Sequence, residues 1–149
     1  MRKIKFRAWN KQTGNMVYSD QVYPRSMYKF EFDLFNDFDF KLMKMVDRYN
    51  VTDDEGNDTY QEVFEAVDAD IMQYTGMKDV NGKEIYEGDI VKIKFMSMLE
   101  DKHFIGEVKF YDGSFMVDNE KLQKAHFLFR ESDVLEVIEN IYETPELLK

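Results

Sequence analysis

The chain has no cysteine among its 149 residues. That removes disulfides, thiolate metal sites and cysteine nucleophiles together, and it fits a reducing compartment. Proline and glycine are scarce, at 2 and 7 residues, which excludes collagen-like and low-complexity disordered chains. Histidine is scarcer than glycine. His103 and His126 lie in different segments with no His or Cys at ligand spacing. Zinc needs three or four protein ligands, so no metal site is expected. No run approaches the roughly 18 apolar residues that a membrane helix needs. The opening Met1-Arg2-Lys3-Ile4-Lys5 lacks the apolar core of a signal peptide. The expected setting is the cytoplasm, away from any membrane.

Positive charge is also in short supply. There are 20 Lys and Arg against 30 Asp and Glu, a net charge of −10. Phosphate contacts are made by Lys and Arg, so this balance weighs against a nucleic-acid binder. The charge is unevenly placed: residues 1–30 carry a net +6, residues 31–70 a net −10 and residues 71–149 a net −6. Two readings follow. A basic N-terminal strand lies near the acidic middle and the fields partly cancel, or the middle segment forms an acidic face for a cationic partner.

What the chain has in quantity is aromatic residues, 15% of the total with 13 Phe and 9 Tyr. Such side chains suit the half-buried surface of a sheet. Ile4, Phe6 and Ala8 alternate with Lys5, Arg7 and Trp9, the period of two that defines a strand. Lys11-Gln12-Thr13-Gly14-Asn15 supplies turn residues, and Met16-Val17-Tyr18 is the return strand of a hairpin. Trp9, on the charged side, either packs on a second small core or forms an interfacial contact. Tyr28, Phe30, Phe32 and Leu34 alternate with charged residues. After Phe35-Asn36-Asp37 the pattern resumes at Phe38, Phe40 and Leu42, a second hairpin with an aromatic inner face.

Residues 52–58, Thr-Asp-Asp-Glu-Gly-Asn-Asp, read as a solvated loop. With Gly56 at the sixth position of a calcium loop, the first ligand position falls on Val51, so the match fails. Tyr60, Val63, Phe64 and Val67 fit a short helix over 59–67, with a strand as the alternative. Ile71 to Gly76 reads as a strand ending in a turn. Asn81-Gly82 is a strong hairpin signal, because both residues tolerate positive φ. Glu87-Gly88-Asp89 turns into the strand Ile90–Phe95 in the manner of small SH3-like barrels, a fold-level analogy. Gly106–Phe110 and Phe115–Val117 flank Asp112-Gly113 as another hairpin. Residues 119–126 show no clear pattern, and Val134–Ile138 reads as a closing strand. Thr144-Pro145-Glu146 has the form of a helix N-cap with proline at the first position.

No catalytic set emerges. The lone Gly-Ser pair, Gly113-Ser114, sits at a hairpin tip and not in a nucleophile elbow, and no phosphate-cradling glycine loop is present. Tyr74, Asn81, Gly82, Gly88 and Asp89 read as structural. No catalytic, cofactor-binding or metal residue is assigned, and the partner-binding residues are unknown.

Four stretches in order resemble the YopX family of phage and prophage proteins. They are Lys5-Phe6-Arg7-Ala8-Trp9, Met72-Gln73-Tyr74-Thr75-Gly76, the run from Asp79 to Val91, and Asn140-Ile141-Tyr142-Glu143-Thr144-Pro145-Glu146-Leu147-Leu148. Residues 20–68 and 96–133 lie outside the resemblance. It implies a small β-rich fold in a phage or prophage context inside a host cell, with self-association, and it implies no activity. Two positions depart from the family pattern. Glu139 stands where the family often has Gly, awkward if that backbone needs positive φ, and Thr144 stands where it often has Asn.

The expected protein is mainly β with minor α, a small SH3-like or similar β-barrel with added hairpins. It is a single YopX-like domain over 1–149, with a hairpin region (1–68) and a barrel-like region (69–149). The expected function is non-enzymatic binding or regulation through protein–protein contacts, as a homo-oligomer or with another protein and without a cofactor. The alternatives are an acidic inhibitor of a host nucleic-acid-binding defence protein and a single-strand-binding barrel that stacks bases on aromatics.

Overall fold

Residues 3–34, 39–96 and 102–149 are described by a computed structural model. They form two compact units, Lys5–Ile71 and Met72–Lys149, the latter taking in residues 3–4. The protein is mainly β: among the described residues there are strands β1 to β12 and one four-residue 3-10 turn, Pro145–Leu148.

In the first unit, β1 (Phe6–Asn10) and β2 (Asn15–Tyr18) form the expected hairpin, with Ala8 opposite Val17. Gly14 takes φ +65° at its turn. Trp9 is half-buried. Next come β3 (Tyr28–Asp33), β4 (Asp39–Thr52) and β5 (Asp58–Ala66), which make a three-stranded antiparallel sheet in that order. Phe30 stacks on Phe40 at 5.7 Å, and Phe6 approaches the same ring at 4.7 Å. The turn expected over Phe35-Asn36-Asp37, together with Phe38, lies outside the described residues. The core of this unit is Ala8, Val17 and Leu42, packed by Tyr28, Phe30, Val67, Ala69 and Ile71.

Residues 59–67 are not helical. β5 covers Asp58–Ala66 and pairs with β4 from Met43↔Ala66 to Thr52↔Asp58, with a bulge between Met45 and Asp47. Tyr60, Val63 and Phe64 lie on this strand and Val67 just after it, so their helical spacing is coincidental; the bulge is on the β4 side. Pairing with β4 satisfies the backbone in a way that an isolated turn of helix would not.

The second unit receives the chain within β6 (Ala69–Lys78), whose later part pairs with β7 (Glu84–Tyr86). Gly76 does not end the strand. It lies inside β6 at φ +90°, where the pairing slips between Tyr74↔Tyr86 and Lys78↔Glu84. Of the Asn81-Gly82 pair only Gly82 takes positive φ (+81°), whereas Asp112 and Gly113 both do. The second tip therefore has the backbone signs of the mirror-image hairpin turn and the first does not.

β8 (Asp89–Phe95), β9 (His103–Tyr111), β10 (Ser114–Asn119), β11 (Lys124–Phe127) and β12 (Asp133–Asn140) form one antiparallel sheet in the order β11-β10-β9-β8-β12. It is a curled, half-barrel sheet. Its inner face holds Val91, Ile93, Phe104, Val108, Phe115, Val117, Leu135 and Val137, and Ile85 of β7 and Leu128 just after β11 complete the same buried cluster. Each such aliphatic or aromatic side chain contributes roughly 1.5–3 kcal/mol when taken fully from water. Gly106 in β9 lets β10 come close, since a Cβ there would stand 2.6 Å from the Asp118 carbonyl oxygen.

Glu139 avoids the awkward conformation: it is not among the positive-φ residues, and a bulge between Val137 and Glu139 absorbs the local change. Thr144 precedes the terminal 3-10 turn but makes no side-chain capping hydrogen bond.

Candidate functional site

The turns that carry the resemblance are held by side chains. Asp79, almost fully buried, accepts hydrogen bonds from the Asn81 and Lys83 amides on one oxygen and from the Val137 amide on the other. Burial alone would push its carboxyl up, but the Val137, Lys83 and Asn81 hydrogen bonds outweigh it and hold the pKa below the ordinary value. The Val80 amide donates to the Leu135 carbonyl. The β6–β7 turn thus covers part of the outer edge of β12. Asp89 accepts from the Tyr86 amide, Tyr74 packs on Tyr86 at 5.3 Å, and Asn140 Oδ1 accepts from the Tyr142 and Glu143 amides. Gly88, at φ +77°, leaves only 3.3 Å for a Cβ beside Met72 and Tyr142.

The two histidines are far apart in role. His103 is exposed at the start of β9. His126 sits among rings, 5.1 Å from Phe95 and 4.5 Å from Phe104 by centroid. Burial, with Arg130 and Lys124 acting in the same direction and Asp133 opposing, pushes its pKa down. Ser114 begins β10 and Gly113 sits in the tip before it. At the β4–β5 tip the Asp53 carboxylate accepts from the Glu55 and Asn57 amides and the Asn57 side chain. It organises its own turn. Among the described residues no three His, Cys, Asp or Glu side chains are grouped to hold a metal ion.

Two groupings are complete only in the folded chain. The first is Lys109, reached by three carboxylates: Glu120 at 2.7 Å, Asp118 at 3.0 Å and Glu107 at 3.5 Å. Burial would lower the Lys109 pKa, but hydrogen bonds to Glu120 and Asp118 and the charge of Glu107 raise it overall. Burial in turn raises Glu107, with Lys109 opposing. Alternation along β9 and β10 shows the charges but not that β-pairing gathers them on one face.

The second is the aromatic end of the half-barrel sheet. Phe115 is buried, with Phe110 at 5.0 Å and Phe129 at 6.3 Å on either side. Phe110 and Phe129 remain 54% and 49% exposed, and Phe127 on β11 is 58% exposed. β11 is the edge of its sheet, with a strand on one side only. Unpaired edges flanked by exposed rings are sites where another chain can add.

In the first unit, β3 pairs with β4 only as far as Tyr28↔Lys44. Beyond it, residues 46–61 form a two-stranded ribbon exposed on both faces save for half-buried Val51. Arg48 lies over the Tyr60 ring at 4.2 Å and pairs with Glu62, which also accepts from the Tyr23 hydroxyl.

Comparison with known proteins agrees with this architecture. The crystal structure of yopX from Bacillus subtilis is similar over 100% of both chains, with a TM-score of 0.60 and 26% identity. That of EF1440 from Enterococcus faecalis also covers 100% of both chains, with a TM-score of 0.57 at 24% identity, and shows likeness of fold. No curated protein matches the chain. No helix of the described residues is long and apolar enough to cross a membrane. The YopX protein family model matches residues 5–149, and the chain belongs to that family.

Proposed function

We propose that this is a phage- or prophage-encoded, non-enzymatic binding protein that acts in the host cytoplasm through protein–protein contacts, beginning with copies of itself. The observation that carries the reading is the open β11 edge, with Phe127 on it and Phe129 just after it both about half exposed. Burying rings of this kind is a main source of binding energy at protein interfaces, and an open strand edge supplies hydrogen bonds and register. β11 also suits pairing with itself. An antiparallel copy centred between Ala125 and His126 would set Lys124 opposite Phe127, with no like charges facing.

The test is the solution mass of the purified chain from micromolar to millimolar concentration. A mass above the 17.9 kDa of one chain is expected, and a double variant Phe127→Glu/Phe129→Glu should return it to one chain. A single-chain mass throughout would overturn self-association.

A further inference from the structure

The β5 strand is also an edge, and its chemistry differs from that of β11. It lies outermost in the β3-β4-β5 order, nine residues long. Long open edges are normally blunted by charge, turned aside or covered. This one is neither short nor covered over its first half, where Asp58, Thr59, Tyr60 and Gln61 are all exposed. The ribbon behind it is two-stranded, and such ribbons are marginally stable alone in water. It nonetheless keeps Val46, Tyr49 and Tyr60 in solvent. A third strand would cover these groups and complete the pairing.

Charge decides what that strand is. β5 carries Asp58, Glu62 and Glu65 and no Lys or Arg. The tip adds Asp53, Asp54 and Glu55, and β4 adds Asp47. Among the described residues the one ribbon cation is Arg48, already engaged by Glu62 and Tyr60. A second copy of β5 laid antiparallel about its centre would set Glu62 against Glu62. Like charges directly opposite destabilise a strand pair, whereas opposite charges stabilise it. Nucleic acid is repelled by the same carboxylates.

Resting on the reading that the protein works through protein contacts, we infer that the β5 edge accepts an extended, Lys/Arg-rich segment of a different protein as an added strand. The partner's backbone completes the sheet, and its cations line one face only, either that of Asp58 and Tyr60 or that of Glu65, whose cross-strand neighbours include Tyr49 opposite Gln61. The mixed character of the ribbon follows. The acids exclude self-pairing and select a basic strand, and the tyrosines and Val46 supply apolar area once it is in place.

The experiment uses the full isotope-labelled chain and two decapeptides, one alternating Lys with Thr and Val, the other with Glu in place of every Lys. Saturable amide shifts confined to residues 46–66 are expected with the Lys peptide, weakening several-fold as salt rises, and none with the Glu peptide. Reversing the edge with Asp58→Lys/Glu65→Lys should cost the Lys peptide at least about tenfold in affinity and confer binding of the Glu peptide. Retention of the far-ultraviolet spectrum checks that this variant folds. Equal binding of both peptides, shifts away from β5, or an unchanged ranking in the variant would overturn the inference. Self-association through β11 is read separately by mass, so either idea can fail without the other.

Discussion

At the scale of single residues, the turns depend on side chains that replace missing backbone partners. Asp79 is the clearest case. A carboxylate in a nearly buried position serves three amides, two within its own turn and one on β12. Asp79→Asn puts an amide NH2 where at least one of those donors points. Leaving a buried donor unsatisfied costs about 1–3 kcal/mol, which sets the expected loss near neutral pH. The pH dependence has a definite sign. The folded pKa lies below the ordinary 3.8, so the carboxylate stabilises the fold above the unfolded value and that contribution disappears as pH falls through the folded one. Wild type and variant should therefore differ most near neutrality and converge in acid below about pH 4. Urea melts from pH 3 to 7 would check this, and a constant gap across the range would refute the account.

Much at this scale was legible from residue types. Gly82, Gly88, Asp112-Gly113 and Asp89 stand where turns were expected, because backbone freedom and short acceptor side chains are local properties. Asn81 was misread in one respect: the adjacent Asp79 carboxylate, by binding the Asn81 and Lys83 amides, sets a turn in which only Gly82 needs positive φ. Thr144 also failed as a cap, since the segment it precedes is one short 3-10 turn.

At the scale of elements, pairing collects charges that lie apart in the chain. Glu107, Lys109, Asp118 and Glu120 meet because β9 and β10 pair with Glu107 opposite Asp118. Lys109→Met should be destabilising, with a loss that grows with pH. Glu107 already has a raised folded pKa from burial, and without Lys109 it would rise further. A carboxyl whose folded pKa is raised binds its proton more readily in the folded state, so stability falls as pH climbs past the unfolded value. The loss relative to wild type should be larger at about pH 8 than at about pH 5 in denaturant melts. The opposite trend would mean that Glu107 is not the group that Lys109 holds ionised.

β5 shows why elements of mixed pattern are hard to read. Tyr60, Val63, Phe64 and Val67 fit a helical template, and only the cross-strand partner on β4 and the bulge after Met45 decide for a strand. A similar limit applied to residues 119–126. β11 exists because β10 offers it a partner, and Gln123 at φ +51° brings the chain round to it.

At the scale of the whole molecule, the net charge of −10 remains after the ion pairs are made. Exposed pairs such as Lys11 with Asp68 and Asp70 contribute little in water. Repulsion among the excess carboxylates should dominate the salt response. The melting temperature near pH 7 is therefore expected to rise by a few degrees between about 10 mM and about 300 mM sodium chloride, where the screening length falls well below 30 Å. A fall on adding salt would show that the paired charges, Lys109 foremost, matter more than the excess.

The residue pattern by itself determined the fold class, the main hairpins, the likeness to the YopX family and the excess of acid in residues 31–70. Alternation and turn chemistry act between neighbours a few residues apart, and charge is a sum over the chain, so neither needs coordinates. Only the tertiary structure decided which edges are open, that β12 is partly covered by Val80 and Asp79 while β11 and β5 are outermost, and which rings stay in solvent. Strand order is set by which apolar faces can close over one core. That is a long-range balance between loop-closure entropy and burial, and the spacing of residues along a strand carries no record of it.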